Sequence, residues 1–341
     1  MPTNIIADPV RVLVTGATGA LGPATVKALA TAGFDVRALA RNPDAPALNG
    51  VDTRVGDLTD WASLQRAVQG VDAVVHLAAL LHIVNPPPDM RAAYQRINVD
   101  GARRLAEAAI GAGVRRFVLA STSAVYGPGP VPASESTVPA PDSWYAESKV
   151  AAEGAVLAVH RPGVFDVSIL RLSAVYGPRI KGNYQRLLQA LAAGRFVPLG
   201  PGVNRRSLVH EDDAAAAFVT AVEHPAAAGR LFNVSDGTPH QLREIVRSMC
   251  LALGRAEPAI SIPAGPAIAG ARVVERLARL VGRTPPVTTA TLTKYMEESV
   301  VDSSRLTREL GFIPRMGLDA GWQTTVETLR ASGLLPPKVG R

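Results

Sequence analysis

The sequence predicts an α/β fold built on a doubly wound parallel sheet, and three observations predict it. Short apolar runs alternate with amphipathic helical stretches from the first residues of the pattern onward. Each run is brief and continuous, as in strands covered on both faces. A glycine-rich turn, Thr15–Gly22, joins the first run to the first helical stretch.

In chain order, strands are expected at Arg11–Thr15, Asp35–Leu39, Thr53–Val55, Ala73–Leu77, Phe117–Ser121 and Val167–Leu172. Helices are expected between them, near Pro23–Thr31, Trp61–Val68, Met90–Ala112 and Ser143–His160. After Leu172 the rhythm changes. A helix near Tyr184–Ala193 precedes a loop at Gly194–Asn204, a strand at Ser207–Val209 and a helix from Glu211. A strand at Leu231–Val234 and a helix near Gln241–Leu253 follow, then a mainly helical remainder punctuated by Pro263, Pro266, Pro285 and Pro286. Two Pro-rich loops, Asn85–Pro88 and Gly127–Pro141, are expected on the surface near a cleft.

Composition narrows the function classes. Of 341 residues, 47% are hydrophobic, enough for one large core or two smaller ones. No apolar run approaches the roughly 20 residues of a membrane helix, and the N-terminus does not read as a signal peptide. The single cysteine, Cys250, lies in an apolar helical stretch, where it reads as a packing residue and suits a reducing, cytoplasmic setting. The net charge of +7 comes from arginines spread along the chain without interleaved aromatics, so no nucleic-acid surface is expected. His210-Glu211-Asp212-Asp213 reads as the acidic first turn of a helix, and no metal site is expected. A serine hydrolase lacks support, since there is no Gly-x-Ser-x-Gly elbow and the six His fall in no evident base position.

The turn Thr15-Gly16-Ala17-Thr18-Gly19-Ala20-Leu21-Gly22 sits where strand gives way to helix. Its glycines let backbone approach a pyrophosphate, and the helix N-terminus adds unpaired N–H groups. Gly16, Thr18, Gly19, Ala20, Leu21 and Gly22 are thus candidates to bind a dinucleotide. The second strand ends on Ala40 and Arg41, with no acidic residue for an adenosine ribose, a combination that favours the 2′-phosphate of NADP over NAD. Asp57 and Leu58 follow the third strand and are placed at the adenine. Leu77, Ala78 and Ala79 end the fourth strand at the ligand-binding edge, and His76 beside them reads as strand-end packing.

Tyr145 and Lys149, four apart in a helical stretch, share one face. A phenol titrates near pH ~10, so a neighbouring ammonium and an oxidised nicotinamide would be needed to stabilise its phenolate. Lys149 can also reach the nicotinamide ribose. At the end of the fifth strand, the hydroxyls of Ser121-Thr122-Ser123 can orient a carbonyl or carbinol oxygen.

These motifs, together with Asn98 in Ile97-Asn98-Val99, Leu170-Arg171 running to Tyr176-Gly177-Pro178, and Asp302 to Leu310-Gly311-Phe312, resemble the extended short-chain dehydrogenase/reductase family of epimerases, dehydratases and ketoreductases. The resemblance spans nearly the whole chain. It implies a Rossmann-like domain, drawn here at 1–174 with 204–236, and a smaller discontinuous substrate domain at 175–203 with 237–335. It also implies an NAD(P)-dependent enzyme, commonly a homodimer. It makes Thr122, Tyr145 and Lys149 the catalytic set and adds Asn98 to the cofactor contacts.

The segments around Lys181 and Asn183, and Arg206 before its strand, look like members acting at C4 of UDP-linked sugars. Arg206 maps to a diphosphate contact, as a guanidinium suits paired phosphate oxygens. Thr122, Ser123, Tyr145, Lys181, Asn183 and Arg206 form the substrate-binding set. Two departures stand out: Ala174 where many members carry Asn, and Glu297-Glu298 where an Arg often faces the diphosphate. They leave open a hydroxysteroid-dehydrogenase-like or dihydroflavonol-reductase-like enzyme acting on an apolar ketone. A non-catalytic NADP(H) sensor is the third reading, opposed by the intact Thr122, Tyr145 and Lys149.

Overall fold

The computed structural model describes residues 10–42, 50–83, 86–280 and 288–336. Asn85, in the first Pro-rich loop, and Pro285 and Pro286 lie outside the described residues. In chain order the elements are β1 (Arg11–Thr15), α1 (Gly22–Thr31), β2 (Asp35–Ala40), β3 (Asp52–Val55), α2 (Trp61–Val68), β4 (Ala73–His76) and α3 (Met90–Tyr94). A π-helical turn, Gln95–Asp100, leads into α4 (Gly101–Gly111), β5 (Arg116–Thr122), α5 (Trp144–Leu157), β6 (Asp166–Leu172) and β7 (Ala174–Tyr176). Then come α6 (Asn183–Ala192), β8 (Arg205–Arg206), β9 (Leu208–His210), α7 (Glu211–Glu223), β10 (Leu231–Val234) and β11 (His240–Gln241). The chain ends with α8 (Leu242–Leu253), α9 (Ala264–Leu280), α10 (Thr289–Met296), α11 (Ser304–Leu310) and α12 (Leu318–Ala331).

The chain divides into two compact units. The first comprises Met1–Val175, Val209–Gly237 and Val301–Arg315. Its seven strands run parallel in the order β10-β6-β5-β4-β1-β2-β3. Alternate residues of each strand face opposite layers. Val12 and Val14 enter one core with Leu29 of α1 and Phe218 of α7, while Leu13 enters the other with Leu64 of α2, Leu105 of α4 and Val156 of α5. Burying each such side chain is worth about 1.5–3 kcal/mol, which fixes the register of sheet on helix. β3, at one edge of the sheet, differs from the expectation of strands buried on both faces: Thr53, Arg54 and Val55 are exposed, whereas β10 at the other edge is buried.

Local signals set the helix starts. Asp60 caps α2 by accepting from Ala62 N at 3.0 Å, and Ser143 caps α5 by accepting from Ala146 N at 3.3 Å. Glu211, Asp212 and Asp213 form the first turn of α7. The helical region expected at Met90–Ala112 is continuous but widened by the π-turn, a geometry no local residue pattern announces. Val301–Arg315 packs within the first unit through Leu306, Leu310 and Phe312, whereas the sequence reading placed that stretch in the second domain.

The second unit comprises Tyr176–Leu208, Thr238–Val300 and Met316–Arg341. Its core joins Leu188, Leu191, Ile245, Met249, Cys250, Val326 and Leu329 around a stacked pair, Tyr176 and Trp322, with ring centroids 4.5 Å apart. β8 and β11 pair antiparallel. Helix α8 opens with a capping box between Gln241 and Glu244 and closes at Gly254 in the left-handed region. Among the described residues no helix is long and apolar enough to cross a membrane.

Candidate active site

The strand order reverses between β1 and β4, and in open α/β sheets ligands bind outside the carboxyl ends of the strands at that point. The predicted cofactor residues follow those ends in turn: Gly16 after β1, Arg41 after β2, Asp57 after β3, Leu77–Ala79 after β4. Gly16 has φ +71, and a Cβ there would lie 2.7 Å from Ala78 N, so the turn lies directly on the end of β4. At Gly22 a Cβ would lie 2.3 Å from Ala17 O, which closes the turn onto the start of α1. Leu21, the N-cap residue of α1, makes no side-chain cap, so the first N–H groups of the helix keep their donors for a ligand. Thr18 and Gly19 are exposed, and Ala20 and Leu21 are half-buried. An uncapped helix start behind a backbone turn with no room for side chains fits a dinucleotide diphosphate.

At the adenosine end, Arg41 is exposed. The Asp57 carboxyl accepts from Thr59 N at 2.8 Å and Thr59 Oγ1 at 2.6 Å. That hydroxyl, helped by the positive charges of Arg41 and Arg96, holds Asp57 below the usual carboxylate range. Arg96, on the π-turn, thus shares the electrostatics of this end, although sequence reasoning passed over it. Leu58 is buried against Gly101 of α4. His76 is buried and pushed down to about 3 by desolvation and by the Lys149 charge, so it is neutral. Its Nδ1 lies 2.6 Å from Thr15 Oγ1, and its ring tilts on Phe117 at 5.9 Å.

Helix α5 carries Tyr145 and Lys149 one turn apart, with its start fixed by the Ser143 cap. Burial pushes the Tyr145 phenol up to about 12, with a hydrogen bond to Thr122 drawing it back and Tyr94 adding to the rise. Burial likewise pushes the Lys149 ammonium down to about 8, opposed by Glu153. Lys149 Nζ donates to Ala120 O at 2.5 Å. The structure therefore joins Thr122 to Tyr145 and ties Lys149 to the strand residue two before Thr122. Thr122 and Ser123 are half-buried at the end of β5, and Thr122 Oγ1 accepts from Ala124 N at 3.2 Å.

Beneath this set lies a buried polar cluster that sequence reasoning missed. Glu153, one turn beyond Lys149, takes a hydrogen bond from Ser121 Oγ and pairs with Arg171 at 2.6 Å. Both side chains of the ion pair are 5% exposed. Ser121 and Arg171 face each other in the β5–β6 register, so the pair fixes the strand end that bears Ala120 and Thr122. Arg171 also stands over the Tyr126 ring at 4.9 Å, and Tyr126 OH donates to Asn233 Oδ1 at 2.6 Å. No spacing rule finds this cluster, since its members come from separate elements.

Asn98, read as a cofactor contact, is buried, and its amide is engaged within the protein. Oδ1 accepts from Leu80 N at 2.7 Å, while Nδ2 donates to Leu80 O at 3.1 Å and to Ser148 Oγ at 2.9 Å. Tyr94, one turn earlier, donates to Leu81 O at 2.9 Å and accepts from Ile83 N at 3.2 Å. The loop after β4 is thereby held beside Tyr145, whose ring lies 6.2 Å from Tyr94 and 6.0 Å from His82.

In the second unit, Lys181 and Asn183 are exposed at the start of α6, which has no side-chain cap. Arg206 is half-buried, and its Nη2 donates to Lys294 O at 3.1 Å and Tyr295 O at 2.8 Å. Tyr184 next to it is pushed up to about 12 by burial, with Arg206 drawing it back. Of the two acidic residues, Glu298 pairs with Arg205 at 2.9 Å, which offsets its charge. The structure thus gathers the predicted catalytic and cofactor residues in the first unit, and Lys181, Asn183 and Arg206 in the second.

The chain is similar to known proteins over most of its length. The family described as "NAD dependent epimerase/dehydratase family" matches residues 12–235. UDP-glucose 4-epimerase of Vibrio cholerae is 30% identical, with the alignment covering 94% of this chain and 95% of that protein. The 3-beta-hydroxysteroid dehydrogenase of Mycolicibacterium neoaurum is 32% identical over 74% of this chain and 72% of its own. Among solved structures, MoeE5 in complex with UDP-glucuronic acid and NAD superposes with a TM-score of 0.74 at 29% identity, covering 94% of this chain and 99% of that one. A seven-stranded parallel sheet, a dinucleotide turn and matches of this length make the chain a member of the NAD-dependent epimerase/dehydratase family, within the short-chain dehydrogenase/reductases.

Proposed function

We propose that this enzyme oxidises the C4 carbinol or reduces the C4 ketone of a nucleotide-linked sugar, most simply a UDP-sugar, as a 4-epimerase or 4-ketoreductase. The observation that carries the reading is Tyr145 beside Thr122 at the carboxyl end of β5, with Lys149 one turn along α5 and bound to Ala120 O. Tyr145 exchanges the proton at the sugar oxygen, and Thr122 orients that oxygen. With its pKa raised, the phenol is protonated and ready to donate to a ketone. In the opposite direction the phenolate needs positive charge nearby, which Lys149 supplies. When bound, the nicotinamide dinucleotide supplies the hydride and, in its oxidised form, a further positive charge. Gly16–Gly22 would hold its diphosphate and Lys149 its nicotinamide ribose. Arg41, in a chain without an acidic residue at the end of β2, supports NADP over NAD.

The UDP-sugar is supported by the names of the Vibrio cholerae and MoeE5 relatives and by Arg206 beside Tyr184. A homodimer in the cytoplasm completes this reading. The apolar-ketone reading draws on Ala174, on the exposed Leu81 and Ile83 beside the catalytic tyrosine, and on the hydroxysteroid dehydrogenase relative.

The test is native mass spectrometry with NAD(H), NADP(H) and UDP-glucose, followed by turnover of Tyr145→Phe. The variant is expected to keep its dinucleotide affinity and lose about 10²–10⁴-fold in kcat. Retained turnover would refute Tyr145 as the acid/base, and failure of UDP-glucose to bind would move the apolar ketone to first place.

A further inference from the structure

Helix α9 turns its apolar residues the wrong way for a core. Its inward positions are small: Ala271 and Ala278 are buried. Its larger aliphatics face outward, with Val273 57%, Val274 38% and Leu277 57% exposed. Pro266, Gly270, Val273 and Leu277 follow one another at helical spacing on that outward side, and all four are exposed. Arg272 and Arg276, exposed as well, run along one edge of the stripe. The chain entering the helix is likewise aliphatic and exposed at Ile260 and Ile262, where Ile262 pairs with Leu199 in a single bridge.

The charge beside this stripe is of one sign. Glu275 is the only carboxylate within Ala264–Leu280. It is half-buried and turned to the start of α10, accepting from Thr289 N at 2.7 Å and Thr289 Oγ1 at 3.1 Å. A helix face that is aliphatic in the middle and cationic along its edge matches a bilayer that carries anionic lipid. The Val and Leu side chains leave water at the acyl boundary, and the arginines meet the headgroups. The net charge of +7 draws the whole chain the same way. A second copy of the chain would bring further arginines, with no carboxylate on the helix to meet them beyond the engaged Glu275. The middle of the stripe also has no hydrogen-bonding side chain to fix the register of a protein partner, which a fluid bilayer does not need.

We propose that the outward face of α9 is a docking surface for an anionic lipid bilayer, on which the helix lies in the plane of the membrane. The proposal goes beyond the sugar reading and does not depend on it.

The test is co-sedimentation of the full chain with vesicles of phosphatidylcholine alone and of phosphatidylcholine mixed with phosphatidylglycerol. Wild type is expected to sediment with the mixed vesicles and to be released at roughly 0.5 M salt, as the headgroup field is screened. Arg272→Gln with Arg276→Gln should weaken partitioning about 5-fold per arginine. Val273→Ser with Leu277→Ser should weaken it about 10-fold or more. Arg66→Gln with Arg247→Gln makes the same charge change at exposed arginines of α2 and α8 and should sediment nearly as wild type does. All six positions are exposed, so the variants should keep the wild-type unfolding midpoint, which reports that they fold. A wild type that stays in solution with the mixed vesicles overturns the inference. So does an equal loss in the control arginine pair, or an aliphatic pair that binds as wild type does. If Val273→Ser with Leu277→Ser instead lowers the mass seen in analytical ultracentrifugation while the vesicles stay bare, the face joins two copies and the membrane reading falls.

Discussion

Lys149 is 5% exposed and bound to a strand carbonyl, whereas Lys181 and Asn183 are exposed at the start of α6. The first belongs to the sheet unit and the other two to the helical unit. In the sheet unit, the groups that would move a proton rest on strands and on α5, braced by an ion pair, two caps and a π-turn. In the helical unit, the packing is aromatic and aliphatic, and Lys181 and Asn183 stand on a loop and a helix start, with Arg206 on the short strand β8. The difference is one of precision. Proton transfer demands fixed geometry, while substrate choice can vary where side chains reach into solvent without disturbing the fold beneath.

Glu153→Ala tests the bracing most severely. It would leave Arg171 buried and uncompensated, and breaking a buried pair from one side costs about 3–5 kcal/mol. Amide exchange should accelerate in β5 and β6, and the helical unit should be spared. Equal acceleration in α8 and α12 would show that the two units open together and would dissolve the contrast.

Gly321→Ala makes the complementary change. A Cβ at Gly321 would lie 2.1 Å from Tyr176 Oη, against a ring stacked on Trp322. Overpacking of this kind costs about 1–3 kcal/mol, here read in the exchange of α12 and α8. Protection left intact there would mean that the aromatic core yields easily.

The third effect is smaller and depends on pH. His76 is neutral in the fold, with its pKa pushed down from 6.5 to about 3. Between those values the unfolded chain binds a proton that the folded chain does not, so stability falls as pH drops through the window. The loss attributable to His76 is roughly 1 kcal/mol at pH 6 and grows towards pH 3. His76→Asn should flatten that acid limb in a series of denaturation curves, and an unchanged limb would assign it to other groups.

How much of this the sequence disclosed follows from what local pattern can encode. The apolar runs of β1, β4, β5 and β6 and the spacing of Tyr145 and Lys149 are legible because strand period and helix turn are local properties. The exposure of β3 was not, since which strand faces are covered depends on how distant elements pack on the sheet, and the opposite edge, β10, is buried. Glu153, Ser121 and Arg171 sit on three elements and meet only after the sheet forms. Asn98 was legible as a functional position, but its grip on Leu80 and Ser148 was not, because the π-turn that aims it has no composition of its own. The return of Val301–Arg315 to the sheet unit was hidden for the same reason: Leu306, Leu310 and Phe312 read as a helix with an apolar face, and nothing in them names the core they join.

Cys250, the only cysteine, is buried in the helical unit, and burial pushes its thiol up. A thiol so placed reacts with a disulfide reagent chiefly when the unit around it opens. Its labelling rate in a dilute reagent therefore reports the opening equilibrium of that unit alone, while the sheet unit stays silent. A second cysteine introduced at an exposed position would label far faster, giving a fluorescent site on an otherwise unmarked surface.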